Sequence, residues 1–226
     1  MSRKFILACS KPWGEIAFRH LIETVPGEWL LVKSQETLKE HVDKEVSVLF
    51  FLHWNWKIPQ EYFLKFDCIG FHMTDLPFGR GGSPLQNLIS RGIDRTKLTA
   101  FRISEVMDAG PILIKKDLEL WGRAEEIYVR AALLACQMIK EILDGDFSET
   151  EQIGEPVFFK RRKPSESEIV GFDNILDLYN HLRMLDAPTY PNAYFKHGHF
   201  KYEFSQVFLN NGTIQATVHI TEDMLD

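Results

Sequence analysis

Short apolar runs alternate with longer stretches in which apolar residues recur every three or four positions. The runs Phe5–Cys9, Trp29–Val32, Val46–Leu52, Asp67–His72, Leu98–Ile103 and Ile112–Leu118 read as strands. Val46–Leu52 (VSVLFFL) has almost no polar alternation, as expected of a parallel strand buried on both faces. Between them, helices are expected over Gly14–Ile22, Leu38–Val42, Pro59–Phe66 and Pro84–Arg91, two of them opened by proline. The longest helix is expected over Ala124–Leu143, where Ile127, Ala131, Leu134, Met138 and Ile142 fall on one face. Strands alternating with helices predict an α/β fold with a mostly parallel sheet and helices on both faces.

After Asp144-Gly145-Asp146 the pattern changes. Lys160–Glu166 is polar and reads as a connecting segment. A helix is expected over Phe172–Leu185, stopped by Pro188-Thr189-Tyr190-Pro191. Asn210-Asn211-Gly212 between Val207–Leu209 and Ile214–Val218 is a hairpin signal, because Asn-Gly accepts the positive φ that tight turns require. The division this predicts is a catalytic domain over residues 1–150 and a small helix-and-hairpin extension over residues 151–226.

Composition narrows the classes. No apolar run approaches the roughly 18 residues of a membrane span, so no membrane partner is expected. The first apolar stretch reads as a buried strand rather than a signal peptide. Cys9, Cys68 and Cys136 are odd in number and lack a CxxC pair, the usage of reduced core thiols in a cytoplasmic protein. The net charge is −6 and Lys160–Lys163 is the longest basic block, which argues against nucleic acid as partner. His197 and His199 have the spacing of a strand metal pair, but no third ligand is evident and no metal is expected; an exposed strand is the better reading.

In parallel sheets ligands collect at the loops that follow the carboxyl ends of strands. His53–Lys57, His72–Ser83 and Ser104–Gly110 all fall there. The densest group is Gly70-Phe71-His72-Met73-Thr74-Asp75-Leu76-Pro77-Phe78-Gly79-Arg80-Gly81-Gly82-Ser83-Pro84. A histidine closes a buried strand, and a glycine-rich loop that lets backbone approach a ligand leads into a helix start. It is neither a Walker loop nor GxGxxG. A tight strand-to-helix connection carrying a surface histidine is the plainer alternative.

This segment resembles the signature of the formyltransferase family, which takes in methionyl-tRNA formyltransferases, glycinamide ribonucleotide transformylases and sugar N-formyltransferases. The pattern is Asn-x-His, a Leu-Pro, an Arg-Gly-x-x-Pro and, further on, an Asp-x-Gly. His72, Leu76-Pro77, Arg80-Gly81-Gly82-Ser83-Pro84 and Asp108-Ala109-Gly110 match it in order and spacing, and the likeness covers roughly Phe5–Leu143. A weaker echo continues in Arg161-Arg162-Lys163-Pro164 and Tyr190–Phe195. The resemblance implies a Rossmann-like catalytic domain and N10-formyltetrahydrofolate as co-substrate. His72 is the implied general base towards the attacking amine, and Asp108 its orienting carboxylate or a proton relay.

One position departs from the pattern. Gly70 stands where the family has the asparagine whose amide would bond the formyl oxygen, and Asn55 on the preceding loop is the expected stand-in. Folate is expected along Trp54, Trp56, Lys57, Ile58, Ser104, Val106 and Met107. The acceptor is expected near Met73, Thr74, Asp75, Phe78, Gly79, Arg80, Gly81, Gly82, Ser83, Tyr190 and Tyr194. The helix-and-hairpin tail looks more like that of sugar N-formyltransferases, which implies a UDP- or dTDP-linked amino deoxysugar used in surface glycans as acceptor. It also implies a homodimer formed through the tail. The alternatives are a methionyl-tRNA formyltransferase-like activity, a formyltetrahydrofolate hydrolase, and a folate- or sugar-binding module without catalysis.

Overall fold

The computed structural model describes residues 3–222. Its central sheet has six strands in the order β2-β1-β3-β4-β6-β7: β1 (Lys4–Ala8), β2 (Glu28–Val32), β3 (Val46–Leu52), β4 (Asp67–His72), β6 (Arg95–Arg102) and β7 (Ile112–Glu119). β1 pairs in parallel with β2 and β3, and β3 with β4, whereas β4 and β6 run antiparallel. The ion pairs Arg95–Glu119 and Lys97–Asp117 run in opposite order along β6 and β7, so that pair is antiparallel too. The fold is thus a Rossmann-like α/β arrangement, as expected, with its parallel half on the N-terminal side. β5 (Phe78–Gly81) pairs with β8 (Val157–Phe159) in a separate two-stranded sheet. Neither strand is legible in the sequence, where Phe78–Gly81 reads as part of a loop.

Packing divides the chain into two units. The first holds the chain through Gly81, Thr96–Leu118 and Tyr128–Phe158; the second holds Gly82–Arg95, Glu119–Ile127 and Phe159 onward. Besides the C-terminal segment, the second unit therefore takes in α4 (Pro84–Ile89) and the start of α5 (Ala124–Asp144), which lie within the stretch expected as catalytic domain.

In the first unit, α1 (Trp13–Thr24) and α5 lie together, with the Cys136 thiol donating to the Ala17 carbonyl at 3.5 Å. Trp13 stacks on Tyr128 at 4.4 Å between ring centroids. A further core forms around Leu49, Phe51 and Cys68 of β3 and β4, closed by Leu38 of α2 (Gln35–His41) and Tyr62 of α3 (Gln60–Lys65). α2, which begins earlier than its apolar residues suggested, is started by a capping box between Ser34 and Thr37. Trp54, Ile58 and Ile103 pack on this same core, so the loops after β3 and β6 rest on one hydrophobic base.

The second unit carries α6 (Ile175–Arg183), capped by the Asn174 side chain, and a three-stranded antiparallel sheet. Its strands are β9 (Ala193–His197), β10 (Phe200–Asn210) and β11 (Thr213–Glu222), and the hairpin turns at Asn211-Gly212 as expected. Part of the expected connecting segment is a 3-10 turn over Pro164–Ser167. His199 lies in the turn between β9 and β10 rather than on a strand with His197, and among the described residues no three metal-binding side chains converge. The cysteines are buried and free, and among the described residues no helix is long and apolar enough to cross a membrane.

Candidate active site

His72 is the last residue of β4, and strand geometry fixes where its ring begins. The side chain is nearly enclosed (10% exposed), and Nε2 lies 2.8 Å from the Gly79 carbonyl. A carbonyl only accepts, so Nε2 carries the hydrogen, and a neutral ring then holds its lone pair on Nδ1. That atom lies 3.8 Å from Asp108 Oδ2, beyond direct hydrogen-bond reach but close enough for one small group to bridge. The tautomer thus leaves the basic nitrogen turned towards the carboxylate.

Asp108 is set by its backbone as much as by its side chain. Its φ is 54°, a left-handed conformation that aspartate tolerates better than most residues. Oδ2 accepts from the Gly81 backbone N–H at 2.9 Å, which ties it to β5. Two residues on, a Cβ added to Gly110 would lie 1.9 Å from the Arg102 carbonyl oxygen, so only glycine lets the loop pass this close to the end of β6. The physical content of the Asp-x-Gly spacing is a carboxylate aimed back at the sheet by a turn that no larger residue can make.

The departure at Gly70 also has a steric cause. A Cβ there would meet Ile103 Cδ1 at 2.7 Å and the Phe101 ring at 2.8 Å. Phe101, paired with Gly70 across β4 and β6, fills the space an asparagine amide would need. Asn55 lies exposed on the loop after β3, in the segment that also carries Trp54, Trp56, Lys57 and Ile58. No hydrogen bond fixes its side chain to His72 or Asp108 in this conformation.

The residues expected to meet folate share a character. Trp56, Val106 and Met107 are exposed at 39%, 60% and 67%, large apolar surface left open in two loops that rest on one core. Trp54 packs edge-on against Trp56, and its indole nitrogen is buried without a hydrogen-bond partner. Ser104 is used inside its own loop, donating to the Val106 carbonyl at 3.0 Å. A flat, polar-edged aromatic ligand fits the open surface of Trp56, Val106 and Met107.

The residues expected to meet the acceptor divide. Met73 and Thr74 are enclosed at 1% and 0% exposure, and the Thr74 carbonyl accepts from Thr99 Oγ1; their side chains belong to the interior and offer no acceptor contact here. Burial continues past the end of β4 at His72, which turns both side chains inward. Asp75 is exposed and paired with Lys115. Phe78 and Gly79 begin β5, and Arg80 and Gly81 follow beside Asp108. Gly82, Ser83, Tyr190 and Tyr194 belong to the second unit. There Ser83 Oγ accepts from the Arg162 backbone N–H, and the Lys201 ammonium lies over the Tyr194 ring.

Two residues near the site were not anticipated. Gln152, after α5, donates from Nε2 to the carbonyls of Asp108 and Gly110, both at 2.9 Å. Its Oε1 accepts from Arg80 Nε and Nη2 at 3.1 and 2.7 Å. His53 accepts the Trp13 indole N–H on Nδ1 at 2.5 Å and places Nε2 against Met73 Sδ. Burial, with Lys11 and His72 nearby adding smaller effects, pushes its pKa down to about 3, so His53 is neutral. A lone amide in a polar stretch gave no signal for Gln152, and His53 read only as part of a loop.

Comparison with known proteins places this geometry. A family model described as the methionyl-tRNA formyltransferase C-terminal domain matches residues 164–221. A structure titled methionyl-tRNA formyltransferase from Clostridium thermocellum is 40% identical, with a TM-score of 0.90 over 97% of this chain and 99% of that one. The methionyl-tRNA formyltransferase of Mesoplasma florum is 25% identical over 95% of this chain and 71% of its own length. A 4-N formyltransferase from Francisella tularensis shares the fold at 18% identity, with a TM-score of 0.65 over 95% of this chain and 96% of that one.

Proposed function

The chain belongs to the formyltransferase family, and on that premise we propose that it is an N-formyltransferase working through His72 and Asp108 on a primary amine. The observation that carries the reading is the His72 lone pair on Nδ1 facing Asp108 across 3.8 Å. N10-formyltetrahydrofolate, held along the loops of Trp54–Ile58 and Ser104–Met107, supplies an activated formyl carbon. As the neutral amine attacks the formyl carbon, Nδ1 of His72 takes its proton, and the Asp108 carboxylate stabilises the resulting imidazolium. The imidazolium then gives that proton to the folate nitrogen as its bond to the formyl carbon breaks and tetrahydrofolate leaves. The Gly79 carbonyl keeps the ring in the required tautomer throughout. Asn55 is the candidate donor to the negative charge that develops on the formyl oxygen.

Two acceptors have separate support. The likeness along nearly the full length to a protein named for methionyl-tRNA supports a methionyl-tRNA acceptor, and it weighs more than the expectation of a nucleotide-linked amino sugar drawn from the tail. The second reading keeps that amino sugar, a UDP- or dTDP-linked deoxysugar, because a net charge of −6 gives little attraction to a large polyanion. One experiment separates them. The protein is incubated with N10-formyltetrahydrofolate and either methionyl-tRNA or a panel of 3- and 4-amino nucleotide sugars, and the acceptors are weighed by mass spectrometry. A gain of one formyl group identifies the acceptor. Formate without formylated product would move the assignment to hydrolysis, and folate binding with neither would leave a binding module.

A further inference from the structure

Gln152 sits where two parts of the site are joined. Its segment is anchored by the Ile112–Thr150 bridge, with backbone hydrogen bonds of 2.7 and 2.9 Å in the two directions. From that fixed point the amide uses both hydrogens on the Asp108 and Gly110 carbonyls and its oxygen on Arg80. The carbonyls it holds flank the left-handed turn that aims the Asp108 carboxylate. The guanidinium it holds belongs to the Arg-Gly element of β5, whose next residue, Gly81, donates to that same carboxylate.

We propose that Gln152 is a positioning residue that couples the catalytic carboxylate to Arg80 and presents Arg80, still fully charged, to an anionic group of the acceptor. The chemical reason lies in the choice of an amide. A carboxylate could hold Arg80 as well, but it would neutralise the charge and would turn an acceptor oxygen towards the Asp108 and Gly110 carbonyls. A glutamine orients the guanidinium through its Nε edge and leaves the positive charge for a phosphate. Both acceptors considered above carry phosphate, so the inference rests on that reading for its ligand, and on hydrogen bonds within the protein for its coupling.

The test separates the two. In Gln152→Ala and Gln152→Glu, Asp108 loses the two donors to its turn, so the Gly81 amide loses its fixed acceptor. NMR hydrogen exchange of that amide should speed up by about tenfold or more, while Glu151→Ala, on the neighbouring exposed residue, leaves it unchanged. In the formyl-transfer assay, kcat of both Gln152 variants should fall on the order of 100-fold, the scale of a reacting group displaced by about 1 Å. Arg80→Ala should act mainly on the KM of the acceptor, and Arg80→Ala combined with Gln152→Ala should raise KM no further than Arg80→Ala alone. Unchanged Gly81 exchange in both Gln152 variants, with circular dichroism as wild type, overturns the coupling. A normal kcat in both Gln152 variants likewise overturns the coupling, and fully additive KM effects overturn the presentation of Arg80. If wild type formylates neither acceptor, the functional reading fails, while the Gly81 measurement still decides the coupling.

Discussion

His72, Asp108 and Gly70 each make a claim that a single substitution can test. His72→Ala and Asp108→Ala remove the proton acceptor and its counter-charge, and also an enclosed ring and the partner of the Gly81 amide. Each should lower turnover on the scale of about 10²–10⁴ for general-base loss, measured at a temperature where circular dichroism shows the variant folded. Ordinary turnover in either variant would refute the assignment. Gly70→Asn, which restores the family's residue, drives a side chain into Phe101 and Ile103. Overpacking of this kind costs about 1–3 kcal/mol, so a lower urea midpoint is expected, and Phe101→Ala in the same chain should recover part of the loss. If Gly70→Asn alone unfolds at the wild-type midpoint, the steric account is wrong. Asn55→Ala decides whether the loop residue has taken over the amide's role; an intact kcat would remove it from the mechanism.

At the scale of elements, the legible parts were those whose pattern is local. Val46–Leu52 announces a buried strand by its unbroken apolar run, and Asn211-Gly212 announces a hairpin by turn chemistry. β5 was missed because Phe-Gly-Arg-Gly has no alternation, and its partner Val157–Phe159 lies far away in the chain. The reversal at β6 was missed because an apolar run carries no direction. The same logic sorts the site: His72 and Asp108 sit in motifs with fixed spacing, whereas the contacts of Gln152 exist only once the chain is folded. The C-terminal sheet supports a further expectation. β9 is covered on its outer edge by the Glu168–Tyr194 bridge, while β11 ends the sheet and exposes Val218 and Ile220 on one side. Open apolar edges are sites of strand addition, so the homodimer that the family resemblance implies should form there. Sedimentation should report a dimer that Val218→Lys with Ile220→Lys converts to monomer; a wild type that stays monomeric at high concentration excludes it.

For the whole molecule, one half-buried histidine and three buried thiols set the response to pH. His53 is held neutral with its pKa near 3, while an unfolded chain would protonate it near 6.5. The unfolded state therefore binds the extra proton first. The stability from keeping this ring neutral is complete above about pH 6.5 and is lost as pH falls towards 3. His53→Gln should flatten that part of the stability curve measured by denaturant melts; an unaltered slope would mean the ring is not buried in solution. In the other direction, burial pushes the thiols of Cys9, Cys68 and Cys136 up to about 11, 12 and 12. Thiolate is the reactive form, so the native protein should resist thiol reagents at pH 8 and react fully only when unfolded.

Phe101 and Gly70 also bear on how such a site changes over generations. Once the ring occupies the space beside position 70, an asparagine arriving there by one mutation meets a closed door, and a smaller residue at 101 alone leaves a void. Each single step is penalised and only the pair is tolerated. Among relatives, glycine at 70 should therefore travel with a large side chain at 101, and asparagine with a smaller one, so that the two columns covary.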